Sequence, residues 1–385
     1  MKAYCLDKIS KVALNTLKDG DKTVESLSEA DSILVRSSKM HEMALPENIL
    51  AVARAGAGVN NIPLGEYAEK GVVVFNTPGA NANAVKELVI ASLLLASRDI
   101  IGGNLWVKEN ADDENISKTA EKAKSQFAGN EVFHKSIAVL GLGAIGVLVA
   151  NACVDLGMQV IGYDPYLSIH NAMLLNKRVT YVSSIEEAIK DVDFLTVHIP
   201  LTDSTKGLID KELIKKMKDG ATILNLSRDG IIDEEALAKA LEEGKIKKYV
   251  TDFANPNVVK MPNTLCFPHL GASTEEAEDN CALMAIAELK DYLENGNISN
   301  SVNYPAADAG KKGQGVRVCI NHKNIPGMIN NFTTIISRDG GNIASLVNKS
   351  RNEYAYTIID TDKEVDAKEL LEVQGVLRVR IIKYL

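Results

Sequence analysis

The run Ile137-Ala138-Val139-Leu140-Gly141-Leu142-Gly143-Ala144-Ile145-Gly146 decides how the chain folds. Its first four residues are apolar and read as a buried strand, and the pattern Val147–Leu156 behind the glycines reads as a helix. Between strand and helix, a G-x-G-x-x-G turn holds a pyrophosphate by its backbone. The first glycine permits the tight turn, the second lets the main chain approach the phosphates, and the third allows close helix–strand packing. Unpaired N–H groups and the positive dipole end of the helix favour the anion. Gly141, Gly143, Ala144, Ile145 and Gly146 are therefore the expected cofactor contacts. The following strand, Gln159–Tyr163, ends in Asp164, eighteen residues after Gly146. A carboxylate there accepts the adenosine ribose hydroxyls and repels a 2′-phosphate. No arginine or lysine follows before Lys177, so the expected cofactor is NAD rather than NADP. A glycine turn alone can be purely structural; strand, helix and terminal acid together select the dinucleotide reading.

Working outward, short apolar runs alternate with helical patterns on both sides of the turn, which is the rhythm of α/β folds. Strands are expected at Ser32–Arg36, Ala51–Arg54 and Val72–Asn76, and again at Phe194–His198, Thr222–Asn225 and Lys248–Asp252. The expected architecture has residues 1–98 with 269–305 as a flavodoxin-like substrate-binding domain and 99–268 as a Rossmann-type doubly wound NAD-binding domain. The polar, glycine-bearing stretch 306–314 has the composition of a linker. Residues 315–385 read strand, helix, strand, strand, helix, strand, a ferredoxin-like βαββαβ unit.

Composition narrows the function classes. A net charge of −8 disfavours nucleic acid and anionic membranes. No run approaches the ~20 apolar residues of a membrane helix, and the first residues lack a signal-peptide pattern, so a cytoplasmic protein is expected. The five cysteines are scattered and form no CxxC pair, so neither disulfides nor a metal site is expected. What remains is small-molecule chemistry.

Hydride removal from an alcohol needs a general base for the hydroxyl proton and a cation to orient an acid substrate and polarise the nascent carbonyl. Of six histidines, His41, His134 and His170 sit in polar contexts and His322 lies in the C-terminal unit, leaving His198 and His269. His198 ends a strand and is equally readable as structural. His269, in Phe267-Pro268-His269-Leu270-Gly271, stands at the return between domains, where clefts form. Arg228 lies just past the strand Thr222–Asn225, at the edge where ligands of open α/β sheets bind, and a planar bidentate donor suits a carboxylate. Pairing with Asp229 or Glu234 at the surface is the competing reading.

These segments, with Val35-Arg36-Ser37, Arg54-Ala55-Gly56-Ala57-Gly58, Asn76-Thr77-Pro78, Val197-His198-Ile199-Pro200-Leu201-Thr202 and Asn225-Leu226-Ser227-Arg228, resemble the D-isomer-specific 2-hydroxyacid dehydrogenases over nearly the whole chain. The resemblance implies NAD-dependent oxidation of 3-phospho-D-glycerate to 3-phosphohydroxypyruvate, in the phosphorylated route to L-serine. It implies that Arg228 binds the substrate carboxylate and that His269 is the acid–base residue. By the same resemblance Arg54, Ala55, Gly56 and Arg36 meet the substrate, its phosphate facing Arg54 and either Arg36 or Lys39, while Thr77, Pro200, Thr205, Leu226, Ser227, Asp252 and Gly271 join the cofactor site.

The C-terminal unit is similar to an ACT domain, an amino-acid-binding module. The resemblance implies an L-serine effector held by His322, Asn324 and Asn342 between paired tails of a homo-oligomer, dimer or tetramer. A plain dimerisation module is the alternative. For the whole chain the alternatives are a dehydrogenase of another D-2-hydroxyacid and an NAD-sensing regulator without catalysis. Retention of both Arg228 and His269 weighs against the second.

The sequence departs from the family pattern at three points. Members usually carry a glutamate four or five residues past the position of Asp252, where it hydrogen-bonds the histidine. Here Asp252-Phe253-Ala254-Asn255-Pro256 is shorter and lacks that acid. Either His269 works without a charged partner or another carboxylate such as Asp252 substitutes. Asp229 replaces the usual glycine after the arginine, and Ala144 stands where the family commonly has arginine.

Overall fold

The computed structural model describes residues 1–18, 20–338 and 340–383. The chain divides into two compact units, Met1–Asn81 with Glu275–Leu385, and Ala82–Thr274.

The second unit is a seven-stranded sheet of β6 (Ser136–Leu140), β7 (Gln159–Tyr163), β8 (Thr180–Tyr181), β9 (Phe194–Val197), β10 (Ala221–Asn225), β11 (Ile246–Thr251) and β12 (Thr264–Cys266). The strand order is β12-β11-β10-β9-β6-β7-β8, and every pair is parallel. Alternate residues of β6 feed opposite cores. Ile137 and Val139 pack with Val85, Val89 and Leu93, whereas Ala138 and Leu140 pack with Ile223, Leu237 and Leu241. Burial on both faces is why these strands read as continuous apolar runs. The helix Ala82–Ser97, expected with the substrate domain, belongs here because its Val85, Val89, Leu93 and Ala96 cover Val147, Ala150 and Val154 of the helix behind the glycine turn.

The first unit holds a second parallel sheet of β1 (Lys2–Cys5), β2 (Lys22–Val24), β3 (Ser32–Val35), β4 (Ala51–Arg54) and β5 (Val73–Phe75), in the order β2-β1-β3-β4-β5. That is the flavodoxin-like order. One face packs on Ala282, Ala285, Ile286 and Leu289 of the helix Glu275–Asn295, the other on Met40, Ile49 and Tyr67.

In the same unit, β13 (Val316–Lys323), β14 (Ile343–Arg351), β15 (Tyr354–Thr361) and β16 (Val376–Lys383) form an antiparallel sheet ordered β14-β15-β13-β16, with helices Met328–Arg338 and Ala367–Glu372 in the crossovers. Val318 and Ile320 face those helices through Phe332, Ile336 and Leu370. The opposite face is not free: Cys319, Tyr356 and Ile358 share one core with Tyr292, Tyr304 and Phe75. The stretch 306–314, expected as a linker, is a packed strap. Ala307 is buried and bridges Ile298, and the Arg317 guanidinium ties Asp360 (2.7 and 2.8 Å) to the carbonyls of Asn295, Ala309 and Gly310. Within the stretch Asp308 Oδ1 accepts from Gly310 N–H at 2.7 Å. Residues 339, 384 and 385 of the expected C-terminal domain lie outside the described residues. No single helix among the described residues is long and apolar enough to cross a membrane.

Candidate active site

Because all seven strands of the second unit run parallel, every segment that follows a strand emerges at one edge of the sheet. That edge collects the glycine turn after β6, Asp164 after β7, His198–Thr205 after β9, Leu226–Arg228 after β10, Asp252 after β11 and His269 after β12.

The three glycines do three different things. Gly141 has φ +90, and a Cβ there would meet the His198 carbonyl oxygen at 2.5 Å. A Cβ on Gly146 would lie 1.8 Å from the Gly141 carbonyl oxygen, so the helix Ala144–Asp155 starts close against the turn only with glycine at that position. At Gly143 no atom stands within 4 Å of such a Cβ, which is the open cradle a pyrophosphate needs. Asp164 takes part in the turn itself. Its Oδ2 accepts from Leu142 N–H at 2.8 Å and its Oδ1 from Tyr166 N–H at 2.8 Å, so the acid expected to face a ribose also fixes the glycine loop.

Arg228 is held by an Asx-type turn. Asn225 Oδ1 accepts from Ser227 N–H and Oγ, and Asn225 Nδ2 donates to the Arg228 carbonyl at 2.9 Å. Its exposed guanidinium donates to the Ser227 carbonyl, and it forms no ion pair with Asp229 or Glu234 among the described residues. Glu234 is occupied instead by the amides of Asn255 and Asn257. Asp229 Oδ1 caps Gly230 N–H at 2.9 Å, which gives that departure from the family pattern a local role.

His269 is exposed and has φ +48, a left-handed conformation uncommon for a side chain of its size. Asp252 holds it there. The Asp252 carbonyl accepts His269 N–H at 2.8 Å and its Oδ2 accepts Gly271 N–H at 2.9 Å. Burial raises the Asp252 carboxyl above its usual range, opposed by the Gly271 N–H and by the nearby His269 and Arg228; its Oδ1 is buried with no partner. The His269 ring packs at 4.9 Å against Phe253 and makes no hydrogen bond among the described residues. Asn255, at the aligned position of the family glutamate, turns away: its Nδ2 bonds Glu234 and its Oδ1 accepts from Asn257 and Val258.

His198 behaves differently. Its Nε2 sits 2.9 Å from Thr196 Oγ1 and its Nδ1 is buried without a partner; burial pushes it down to about 4. It is neutral at physiological pH and lines the glycine turn with its carbonyl. The loop beyond it is closed on itself by Thr205 Oγ1, which donates to the Pro200 carbonyl at 2.7 Å.

In the first unit, Arg36 follows β3, Arg54 ends β4 in register with Val35, and Thr77 lies two residues past β5, again on one sheet edge. Arg54 braces the loop behind it, donating from Nε to the Arg36 carbonyl at 2.9 Å and from Nη1 to Gly58. Thr77 N–H donates to Gly56 and Asn76 Nδ2 to Ala57, closing the same loop. Asp7, which stands in no recognisable motif, gathers the N–H groups of Arg36, Ser37 and Ser38. The described residues contain no group of His, Cys, Asp and Glu able to hold a metal.

The three expected effector residues do not converge within one chain. His322 is buried, its Nδ1 2.8 Å from the Lys323 carbonyl and its Nε2 2.8 Å from Thr357 Oγ1. Asn324 donates to the Asn352 carbonyl beyond the end of β14, whereas Asn342 precedes the start of that strand.

Residues 90–271 match the family described as D-isomer specific 2-hydroxyacid dehydrogenase, NAD binding domain. That segment, a little under half of the chain, is what is similar to the family. It is 34% identical over 319 residues to a D-3-phosphoglycerate dehydrogenase of Methanocaldococcus jannaschii, covering 80% of this chain and 58% of the relative. A Haemophilus influenzae D-3-phosphoglycerate dehydrogenase is 29% identical, with 94% and 89% covered. The chain thus spans little more than half of several relatives it matches. Among solved structures, the NAD+-bound 3-phosphoglycerate dehydrogenase of Entamoeba histolytica superposes with a TM-score of 0.62 at 28% identity, covering 79% of this chain and 98% of that one. D-2-hydroxyisocaproate dehydrogenase, at 22% identity and a TM-score of 0.64, shares the fold.

Proposed function

We propose that the chain oxidises 3-phospho-D-glycerate at C2 to 3-phosphohydroxypyruvate. The observation that carries this reading is that Arg228 and His269 stand on the sheet edge that also bears the dinucleotide turn, and neighbouring charges consume neither. The residues fit NAD: Gly143 leaves the cradle open, Asp164 faces the ribose position, and the buried Asp252 Oδ1 awaits a donor. When bound, NAD supplies the hydride acceptor. Arg228 then orients the substrate carboxylate and polarises the forming carbonyl, and His269 takes the hydroxyl proton. Asp252 is a positioning residue that fixes the His269 backbone through its carbonyl and the Gly271 N–H through its Oδ2. Arg54, Ala55 and Gly56 supply the substrate loop, and Arg36 the cation for the phosphate.

We place the protein in the cytoplasm as a homo-oligomer. The serine reading requires a second copy, since Asn342 of one tail must reach Asn324 of another; His322 then shapes the loop from inside rather than touching the ligand. An NADH absorbance assay with 3-phosphoglycerate tests the reaction, and titration with L-serine tests the effector. Turnover unchanged by millimolar serine, with no serine binding by calorimetry, removes the effector.

A further inference from the structure

We infer that Glu278 is a gate on Arg36 that sets the affinity for phosphate-bearing substrates. The inference rests on the proposed role of Arg36 and concerns a residue to which the family pattern gives no part.

The loop after β3 offers an anion three backbone donors and two side-chain cations, Arg36 and the exposed Lys39. The donors are already used: Asp7 Oδ2 accepts from the N–H groups of Arg36, Ser37 and Ser38 at 2.6, 3.0 and 3.2 Å, and its Oδ1 accepts from Ser38 Oγ at 2.6 Å. The neighbouring guanidinium of Arg54 is turned onto the carbonyls of Arg36 and Gly58. That leaves the Arg36 guanidinium and the Lys39 ammonium to meet a phosphate, and of the two Arg36 is the one an acid holds, its Nη2 bound by Glu278 Oε1 at 2.5 Å. Glu278 lies in the first turn of the helix Glu275–Asn295, which packs on the same sheet.

Both partners are partly exposed, at 41% and 44%, so the pair is weak enough for a dianion to displace. A phosphate arriving at Arg36 must break this contact and then sit beside the displaced carboxylate. Both effects oppose binding, and neither touches a substrate that lacks the phosphate. Glu278 thereby lowers phosphate affinity by a small factor and keeps Arg36 from trapping inorganic phosphate in the absence of the rest of the substrate.

The test uses the full chain with Glu278→Gln, Arg36→Gln and the double variant. Inorganic phosphate is titrated by calorimetry, and KM is measured for 3-phosphoglycerate and for D-glycerate. The circular dichroism spectrum and melting temperature of the full chain serve as the check that each variant is folded. The expected result for Glu278→Gln is phosphate affinity raised about two- to five-fold, KM for 3-phosphoglycerate lowered to match, KM for D-glycerate unchanged, and the gain abolished in the double variant. Unchanged or weaker phosphate binding, equal shifts for both substrates, or a gain that persists without Arg36 overturns the gate. If the wild type does not oxidise 3-phosphoglycerate, the proposed reaction fails and the phosphate titration alone decides the gate.

Discussion

At the scale of single residues, the proposed catalytic pair, Arg228 and His269, differs from the family pattern in what surrounds it rather than in itself. His269 is anchored through its backbone to Asp252 and flanked by Phe253, and the neutral amide of Asn255 is turned to Glu234. Replacing His269 with Gln is expected to lower kcat by about 10²- to 10⁴-fold while leaving NADH binding intact. Arg228→Lys should raise KM and lower kcat together, because one point charge replaces a planar fork; a change in neither removes Arg228 from the site. A separate residue-scale effect concerns stability. Glu288 is buried, with Oε1 accepting from Asn300 Nδ2 at 2.7 Å and Oε2 unpartnered, and burial pushes its carboxyl up to about 7. Its folded pKa exceeds the unfolded value of 4.5, so between those limits the unfolded chain ionises first and stability falls as pH rises, reaching a plateau above about 7. Glu288→Gln keeps the Asn300 bond and should gain about 3 kcal/mol at pH 8 and nothing near pH 4. Parallel denaturation curves for the two proteins at both pH values check it.

At the scale of elements, the glycine turn separates folding from binding. Gly146→Ala forces a methyl into the Gly141 carbonyl, so it should displace the helix Ala144–Asp155 and lower the melting temperature as well as cofactor affinity. Gly143→Ala meets nothing in the protein and has an ordinary φ of −73, so stability should change by no more than about 0.5 kcal/mol. The same methyl projects into the phosphate cradle, and the dissociation constant for NADH should rise at least about tenfold. Equal losses from both variants would mean that Gly143 serves the fold and not the ligand. The turn was legible in sequence because its spacing is a backbone requirement. The bond from Leu142 N–H to Asp164 was not, because it joins two loops whose proximity exists only once β6 and β7 pair.

At the scale of the whole molecule, both parallel sheets and the βαββαβ topology were readable from hydrophobic rhythm, whereas three short edge strands, β2, β8 and β12, were not. Edge strands are half solvated and carry no apolar run: Lys22-Thr23-Val24 and Thr180-Tyr181 show none. The packing of the C-terminal sheet escaped notice for a related reason. Its docked face is built from residues that look polar, such as Arg317 and Arg380, whose charges are satisfied by distant carbonyls. Arg380 stacks 4.3 Å over the Tyr292 ring and donates to the carbonyls of Tyr292 and Leu293. Arg380→Ala should therefore cost about 2–4 kcal/mol, seen as a lower denaturation midpoint of the first unit. Asp7, Glu278 and Phe253 lacked a motif, and their roles follow from neighbours 25 or more positions away or from a ring contact across a loop. The central claim is that Arg228 and His269 act on a phosphorylated hydroxyacid with NAD. The most direct measurement is NADH formation at 340 nm, with 3-phosphoglycerate and with D-glycerate, in wild type and in His269→Gln. NADH formation with a higher kcat/KM for the phosphorylated acid and near-complete loss in the variant are expected; equal use of both acids, or activity that survives the substitution, overturns the assignment.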